Sequence, residues 1–516
     1  MFEKILIFIV FLAPLIFFHE LGHFIFARLF GVRVEVFSIG FGPKLFKYLH
    51  KGTEYAVSAI PLGGYVKMFG DDPFSDAPLT EEEKKVAFTH KSKWARFWIV
   101  FGGPLANLIL AYTLYVGLLT QGEKVPETKV GVVTEKSVLY SKGLRTGDVL
   151  TAINDEKVMS FDDFNIKGSS VEKISVRRKN ETVVMPVDME LEPFINEFVA
   201  IVSVVKKPIF INKKGEQFYL SLTPKPTDLN VSLEEISSSF QGKAYLYSFH
   251  NPGDQLKLDH ATESEITAQP GQKLTDLLVN MEYYPADLGV RNIVMSSPAD
   301  KAGIKKGDIL TKMNGKPLLS FEDLRVGLQE IPEGKEVQVE VLSKGETAVK
   351  NLIPTVNTAN GKKTKIIGIE SAVEYIQPKL IVAKADSFGA ALGIAFFRTW
   401  DGVVKTFNGY KKLITREVSL NNIGGPLAIG KVASDSLNIS LSMFFRLMAI
   451  ISINLGVINL FPIPVLDGGH IMFLFFETLN GGPLSRRKLE IAQRFGVSVL
   501  FLLIFVAIFN DITRLF

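Results

Sequence analysis

Residues 5–23 read ILIFIVFLAPLIFFHELGH, an apolar run that leads directly into a His-Glu-x-x-His motif. The apolar segment continues to about Phe30, which is longer than the roughly 20 residues that a helix needs to cross a bilayer. The run is too long for the apolar part of a signal peptide, and no small-x-small cleavage site follows it cleanly, so we expect it to be retained. The sequence therefore predicts a membrane-spanning helix that carries three ionisable side chains.

The motif in this helix predicts a metal site. His19 and His23 are four residues apart, so their imidazoles lie on one helix face and can bind one metal ion, with Glu20 placed to take a proton from water. Zinc lowers the pKa of bound water to roughly 7, which makes hydroxide available at neutral pH. Ionisable groups at membrane depth are costly and usually functional, so chance occurrence of the motif is the weaker explanation.

The composition excludes several classes of site. The chain has 516 residues, of which 47% are hydrophobic, and a mean hydropathy of +0.21, which indicates membrane spans joined to soluble domains. It has no cysteine, so disulfides, zinc–thiolate sites and cysteine nucleophiles are excluded, and a metal has to be held by histidine and carboxylate. The net charge of +4 is too small and too dispersed to indicate nucleic-acid binding.

Four apolar segments are predicted to span the membrane: residues 5–30, 98–119, 444–464 and 495–509. The loops between the first two spans and between the last two are rich in lysine and arginine, so the positive-inside rule places both in the cytoplasm. Residues 121–386 contain no apolar run of that length and are expected on the outer side. His19 and His23 then lie in the cytoplasmic half of the first span.

The predicted third span is interrupted by Pro462 and Pro464, because two prolines so close together forbid a regular helix. Irregular backbone at membrane depth is tolerated only where it is buried in protein or lines a wet cavity. Asp467 follows the break at about the depth of His23, so it is the expected third metal ligand. His470 and Glu477 are rival ligands, and a helix-capping role is the alternative for Asp467.

Residues 54–68, in the first basic loop, contain two β-prone pieces on either side of Pro-Leu-Gly-Gly, which predicts a hairpin. Its apolar sequence suits a place beside the metal site, where it could pair with an unwound substrate backbone. An ordinary surface hairpin is the alternative. The expected substrate contacts in this hairpin are Tyr55, Val57, Gly63, Gly64 and Tyr65.

The second span contains the stretch FGGPLANL at residues 101–108. Its small residues predict close approach between helices. Asn107, in the same stretch, is a polar residue that needs a partner inside the membrane. Hydrogen bonding between helices is slightly favoured for Asn107 over a part in the metal site.

An internal repeat lies between the second and third spans. Residues 143–150, GLRTGDVL, are echoed by residues 303–310, GIKKGDIL, and the matching Asn154 and Asn314 follow at the same offset. Ser160-Phe161 and Ser320-Phe321 match in the same way. Each copy resembles the core of a bacterial PDZ domain, a fold that presents a strand edge and a backbone nest to peptide C-termini.

These features predict six regions along the chain. Residues 1–121 form the first part of the membrane core, and residues 441–516 form the second. Two PDZ-like domains occupy 122–225 and 288–375, and a polar segment of unknown role, 226–287, separates them. The region 376–440 contains an amphipathic helix at 387–415, which suits a membrane–water boundary, and a turn at 421–426.

Taken together, the motif in the first span, the N-x-x-P-x-P-x-L-D-G-G sequence at 459–469 and the two PDZ-like modules resemble the site-2 protease family of intramembrane metalloproteases. The resemblance implies that zinc is held by His19, His23 and Asp467 and that Glu20 is the general base. It also implies that Asn459, together with Pro462 and Pro464, binds the substrate backbone. The segment between the modules departs from the family pattern.

The resemblance further implies substrates and a location. The substrates would be pre-trimmed single-span membrane proteins, such as an anti-sigma factor and remnant signal peptides, cut in the envelope stress response. The chain would lie in the bacterial inner membrane with its PDZ-like domains in the periplasm.

The expected fold is a multi-span α-helical membrane protein with four transmembrane helices, a membrane-associated β-hairpin and two PDZ-like α/β domains inserted between spans two and three. The expected cofactor is Zn²⁺. The expected partners are single-span membrane substrates and the lipid bilayer, without nucleic acid. The alternative is a non-catalytic PDZ-type scaffold that binds periplasmic peptides, against which the intact Glu20 argues.

Overall fold

The structure is a computed structural model that describes residues 2–515 except 72–78, 132, 134–136, 161–168, 179–180, 202–205, 225, 227, 228, 230, 251–255, 270–271, 360–361, 373–378, 416–423 and 483. Within these residues the α-helices are α1 Phe2–Leu29, α2 Glu81–Val86, α3 Lys93–Gln121, α4 Val138–Ser141, α5 Leu191–Ile201, α6 Leu233–Ser239, α7 Leu274–Asn280, α8 Pro298–Lys301, α9 Phe321–Glu330, α10 Phe388–Ile414, α11 Pro426–Ile439, α12 Leu441–Asn459, α13 Asp467–Leu479 and α14 Arg486–Leu515.

The strands are β1 Val34–His50, β2 Thr53–Met68, β3 Glu123–Pro126, β4 Val149–Ile153, β5 Glu156–Lys157, β6 Ser170–Arg178, β7 Glu181–Glu190, β8 Ile209–Asn212, β9 Gln217–Ser221, β10 Lys243–His250, β11 Lys257–Thr267, β12 Tyr283–Pro285, β13 Val290–Ile293, β14 Ile309–Met313, β15 Lys316–Pro317, β16 Val337–Ser343, β17 Glu346–Leu352, β18 Thr355–Ala359, β19 Lys362–Ile366, β20 Ile369–Ser371 and β21 Leu380–Ala383.

The chain folds as two compact units. The first comprises residues 1–125 and 381–516, and the second comprises residues 126–380. All four candidate membrane spans belong to the first unit: Leu6–Leu29, Lys93–Gln121, Leu441–Asn459 and Arg487–Ile512. Each is long and apolar enough to cross a bilayer. The four predicted spans are confirmed as helices, but the third ends at Asn459 rather than at 464, and the fourth extends beyond both predicted ends.

The third span ends where the sequence predicts a break. Residues 460–466 form turns rather than helix, and α13 begins at Asp467. Val465 in this turn has a φ of +97°, which is rare for a β-branched residue and costs of order 1–3 kcal/mol. The helices α11 and α13 were not predicted from the sequence. The predicted turn at 421–426 lies partly outside the described residues.

The segment α10 forms the helix predicted for residues 387–415. It exposes a series of large apolar side chains to the surroundings: Phe388, Phe396, Phe397, Trp400, Val404 and Phe407. Its opposite face packs on α3 and α12. Phe407 and Tyr410 contact Phe461, which belongs to the turn before α13.

The predicted hairpin at 54–68 is wrong in its pairing. Residues 36–39 lie opposite residues 64–67, which run in the opposite direction. They also lie opposite residues 54–57, which run in the same direction. The two β-prone pieces therefore flank a common inner segment, 34–39, and residues 44–50 pair with the far side of 53–58. This arrangement could not be predicted, because the hairpin pattern specifies which pieces are strands and leaves their partners open.

In the second unit, two four-stranded sheets have the same strand order. The first runs β5-β4-β6-β7 and the second β15-β14-β16-β17. Asn154 and Asn314 each adopt a φ of +48° in the turn after the first long strand of their sheet. The two copies thus match in topology as well as in sequence, although residues 161–168, which correspond to 321–328 of α9 in the second copy, lie outside the described residues.

Between these sheets lies a five-stranded sheet with the order β11-β10-β9-β8-β12. It has its own core, which includes Phe210, Leu220 and Leu246. The sheet begins at Ile209, so the predicted boundary at 225/226 cuts through it and is wrong. The polar segment between the modules is therefore part of a folded α/β layer. Its buried strand residues were not recognised from the sequence because Ser, Thr and Lys surround them.

Candidate metal centre

Three side chains from the two ends of the chain meet in the first unit. His19 Nε2 lies 3.3 Å from His23 Nε2 and 3.3 Å from Asp467 Oδ2, and His23 Nε2 lies 3.4 Å from Asp467 Oδ1. We call these residues the ligand trio. Among the residues that the structure describes, no other group of three His, Asp or Glu side chains brings its donor atoms this close together.

The spacing of the ligand trio fits a zinc ion. Zinc forms tetrahedral sites with bonds of about 2.0–2.1 Å to histidine and carboxylate, which places neighbouring ligand atoms about 3.3–3.4 Å apart. Asp467 Oδ2 is buried and has no hydrogen-bond partner in the described part of the chain, as expected of an oxygen that faces a cation. The donor set, two imidazoles and a carboxylate, is that of a zinc site with one position open.

Local structure explains how the trio is assembled. His19 and His23 lie on one face of the continuous helix α1, and their rings meet edge to face with centroids 4.9 Å apart. Asp467 is the first residue of α13, so the break at Pro462 and Pro464 sets its direction. The strained turn at Val465 immediately precedes it, which is a common feature of functional sites.

One face of α3 supports both histidines. The Ile99 carbonyl oxygen lies 2.9 Å from His23 Nδ1, and the Asn107 side-chain amide lies 3.3 Å from His19 Nδ1. Between them, a Cβ on Gly103 would lie 2.3 Å from His23 Nε2, so no larger residue fits there. These three residues follow one another at four-residue spacing and share a helix face.

Glu20 is buried beside the trio and lines the same cavity of about 600 Å³. Gly64 of β2 packs directly against it, because a Cβ on Gly64 would lie 2.8 Å from Glu20 Cγ. The cavity extends to a charged rim that includes Asp71 and the ion pair between Arg96 Nη1 and Glu477 Oε2, 3.0 Å apart. Burial raises the pKa of the Asp71 carboxyl above its ordinary value of 3.8.

The rival ligands are placed apart from the trio. Glu477 is engaged by Arg96. His470 lines the cavity but does not join the cluster of donor atoms. The structure brings Asp467, rather than either of these two residues, next to the two histidines, and its role as a ligand stays a prediction.

The predicted substrate residues differ in how close they lie to the metal centre and its cavity. Asn459 lies at the centre, with Nδ2 3.4 Å from His19 Nε2, and Gly64 and Tyr65 line the cavity. Tyr55 and Val57 belong to the segment on the opposite side of residues 34–39 and do not line it. Pro462 and Pro464 form the turn that leads to Asp467, and Gly63 precedes the cavity-lining segment.

Sequence reasoning left Asn107 between two interpretations and missed Ile99 and Gly103. In the structure the side chain of Asn107 contacts His19, whereas the hydrogen bond from Ser452 of α12 is accepted by the Asn107 backbone carbonyl. A backbone carbonyl such as that of Ile99 has no signature in the sequence. The four-residue spacing of Ile99, Gly103 and Asn107 was the available signal.

Comparison with known proteins points to one family. A family model described as peptidase family M50 matches residues 7–503. The chain is 31% identical over 509 residues to the regulator of sigma-E protease RseP of Escherichia coli strain K12, and the match covers 98% of each chain. It is 30% identical over 509 residues to the regulator of sigma E protease of Haemophilus influenzae, again with 98% of each chain covered. A Vibrio cholerae protein provisionally named as a zinc metalloprotease is 30% identical over 511 residues, with the same coverage.

Proposed function

The chain belongs to peptidase family M50, and from that premise we propose that it cuts single-span membrane proteins within the bilayer, at the centre described above. It is a zinc-dependent intramembrane metalloprotease of the site-2 type. The observation that supports the proposed centre is the meeting of the ligand trio and Glu20 in one cavity of the first unit.

The proposed roles follow from the chemistry of the side chains. His19, His23 and Asp467 hold the zinc ion. Zinc in such a centre lowers the pKa of water to roughly 7 and polarises the substrate carbonyl. Glu20 accepts the proton of the attacking water and returns it to the leaving amine, a role that needs a carboxylate beside the reacting atoms and shielded from bulk solvent.

The substrate enters as an extended strand in this proposal. A peptide bond in a membrane helix is shielded by the hydrogen bonds of the helix, so cleavage requires local unwinding, and the freed backbone groups then need new partners. Residues 64–68 pair with 34–39 on one side only, and Gly64, Tyr65, Val66 and Met68 of this segment line the cavity. The unwound substrate adds to this free edge, and Asn459 holds its backbone at the centre.

The substrate class and location are proposed from the resemblance to the site-2 proteases and from the relatives named as regulators of sigma-E protease. We propose the bacterial inner membrane, with the active site toward the cytoplasm and the second unit in the periplasm. The two matching sheets of that unit are proposed to be PDZ-like domains that act as a size filter. Pre-trimmed substrates, an anti-sigma factor and remnant signal peptides, then reach the site in the envelope stress response.

The first prediction tests this function through Glu20. The purified Glu20→Gln variant is expected to lose cleavage of a model single-span substrate by at least about 100-fold, the usual loss when a general base is removed. It should keep its zinc, because Glu20 lies outside the ligand trio. Glu490→Gln, an exposed glutamate on α14, is the matched control and should cleave normally.

Cleavage by Glu20→Gln at the rate of the unmodified chain would end the proposal for this centre. A His23→Ala variant that retains one zinc ion per chain would likewise contradict the assigned ligands. Metal analysis and cleavage assays on the same preparations separate the two outcomes.

A further inference from the structure

Asn107 is a fully buried polar residue in the middle of α3, at 0% exposure. Its backbone carbonyl accepts a hydrogen bond from Ser452 Oγ at 2.8 Å, and its side-chain Nδ2 lies 3.3 Å from His19 Nδ1. In the described part of the chain its Oδ1 has no hydrogen-bond partner. A buried amide oxygen without a donor is rare and calls for an explanation.

Which atom of the amide group contacts His19 depends on the orientation of that group. The oxygen and nitrogen of an asparagine side chain are nearly equal in size, and their positions are an assignment that has to agree with the surrounding hydrogen bonds. Exchanging the two atoms by rotation about the last side-chain bond would place Oδ1, instead of Nδ2, against His19 Nδ1.

The protonation of His19 decides between the two orientations. An imidazole that binds a metal through Nε2 carries its proton on Nδ1, which must then donate a hydrogen bond. His23 already shows this arrangement, since its Nδ1 lies 2.9 Å from the Ile99 carbonyl oxygen, which can only accept. His19 Nε2 faces the rest of the ligand trio, so its Nδ1 also has to donate, and the partner has to be an oxygen.

We propose that Asn107 is a positioning residue of the metal centre: its side-chain oxygen accepts a hydrogen bond from His19 Nδ1–H and so leaves His19 Nε2 free to bind zinc. The inference rests on the proposed function of the ligand trio. The same face of α3 then fixes both histidines, through Ile99 for His23 and through Asn107 for His19. Gly103, between them, provides the room for the two rings.

The experiment compares three variants of the full-length chain in detergent. Asn107→Leu keeps the size of the side chain but removes the acceptor. Asn107→Asp keeps an acceptor and removes the donor. Ser452→Ala is the matched control, because it removes the hydrogen bond to the Asn107 backbone and leaves the side chain against His19 intact.

Zinc content, the rate of zinc loss to a chelator and the absorption spectrum of the cobalt-substituted protein are the measurements. Asn107→Leu is expected to hold zinc 10–100-fold more weakly, the usual effect of losing a hydrogen bond to a metal-bound histidine. Its cobalt spectrum at saturating metal should be altered. Asn107→Asp and Ser452→Ala are expected to retain zinc and the spectrum of the unmodified chain.

Zinc affinity in Asn107→Leu equal to that of the unmodified chain would overturn the positioning role while the centre itself stands. Loss of zinc from Asn107→Asp as severe as from Asn107→Leu would show that the amide donates, which overturns the proposed orientation. If the unmodified chain binds no more zinc than His23→Ala, the proposed function and this inference both fail. If Asn107→Leu folds poorly, the zinc content of Asn107→Asp compared with that of Ser452→Ala still tests the proposed orientation.

Discussion

Gly103 lies where the two site histidines come closest to α3. A Cβ at this position would meet both rings, at 2.3 Å from His23 Nε2 and 2.8 Å from His19 Cε1. A methyl group cannot fit without displacing at least one imidazole, and zinc coordination depends on their positions to a few tenths of an ångström. Adding one methyl group at position 103 therefore tests the placement of both histidines.

We expect Gly103→Ala to lose most of its zinc and, with it, cleavage. Gly117→Ala is the matched control on the same helix, because a Cβ there meets no other atom within 4 Å in the structure. The control should retain both properties and gain slightly in stability, since alanine is the better helix former. The measurement is zinc per chain in the two purified variants. Full zinc content in Gly103→Ala would mean that α3 lies farther from the histidines.

Some residues of the site could be identified from the sequence, and others could not. His19, Glu20 and His23 follow from their helical spacing, and Asp467 follows from its place after the break and from its depth in the membrane. Ile99 acts through its backbone carbonyl, which every residue has, so no sequence pattern can single it out. Gly103 acts through what is missing from its side chain, which becomes visible only when the neighbouring helix is in place.

Helices of the membrane unit are joined at one end by a buried group of charges. Glu123, which follows α3, is fully buried and contacts Arg398 of α10 and Arg446 of α12. Both arginines are also largely buried. Buried charges add little net stability when paired, but removing one charged partner from such a group is strongly destabilising. Glu123 thus connects the end of α3 to α10 and α12 through ion pairs.

We expect Glu123→Gln to lower the free energy of unfolding by about 3–5 kcal/mol, because two buried guanidinium groups lose a buried negative charge that contacts both of them. The thermal unfolding midpoint of the full chain in detergent is the measurement. Asp401→Asn, which breaks the exposed pair with Lys405, is the control and should change stability by less than about 1 kcal/mol. Equal midpoints for Glu123→Gln and the control would contradict this role.

The helix α10 is expected to lie at the membrane boundary, because its exposed aromatic side chains would otherwise face water. A variant with Trp400 as its sole tryptophan, obtained through Trp94→Phe and Trp98→Phe, should show fluorescence quenched by lipids brominated near the headgroup. Quenching should be weaker with bromine near the chain ends. Absence of quenching by either lipid would place α10 away from the bilayer.

The positions of helices and strands were predicted better than the pairing of the strands. The spans and α10 are strong apolar or amphipathic patterns, and the structure confirms them as helices. The pieces of residues 34–68 are β-prone, yet their pairing depends on the inner segment 34–39, which bonds to strands on both sides. Pairing is decided by contacts across the fold, and local sequence carries little information about it.

The second unit is held together in part by an ion pair between distant segments. Lys129 Nζ lies 2.8 Å from Glu235 Oε1, which joins the start of the unit to α6 of the five-stranded layer. Burial acts to raise the pKa of Glu235, but hydrogen bonds from Lys129 and Ser232 outweigh it and hold the pKa below its ordinary value of 4.5. A lowered pKa in the folded state means that the ionised carboxylate stabilises the fold.

This stabilisation should be complete above pH 4.5 and should disappear as the pH falls through the lowered pKa of Glu235. Lys129→Met should therefore increase hydrogen exchange of the α6 amides at neutral pH, and its effect should be smaller at a pH low enough to protonate Glu235 in the unmodified chain. Mass-spectrometric exchange on the full chain, corrected for intrinsic rates, is the measurement. Lys243→Met, which breaks an exposed pair with Glu265, is the control. Equal effects of Lys129→Met at both pH values would contradict the linkage.

For the whole molecule, the sequence predicted the number of spans and the two matching modules but missed the layer between them. Three of its five strands, β8, β9 and β12, have only three to five residues each, and its buried residues, such as Phe210, Leu220 and Leu246, lie in a polar stretch of sequence. Alternation over so few positions does not stand out from chance. The separation into a membrane unit and an inserted unit follows from the apolar runs alone.

The division of the ligand trio between the two ends of the chain has a consequence during synthesis. The histidines leave the ribosome with the first span, whereas Asp467 follows only after the whole inserted unit has been made. At 5–20 residues per second, this leaves a nascent chain with two metal-binding histidines and no carboxylate for roughly 20–90 seconds. With the proposed ligands, a chain that has not yet reached Asp467 lacks part of the metal centre, so we expect it not to cut its neighbours in the translocation machinery.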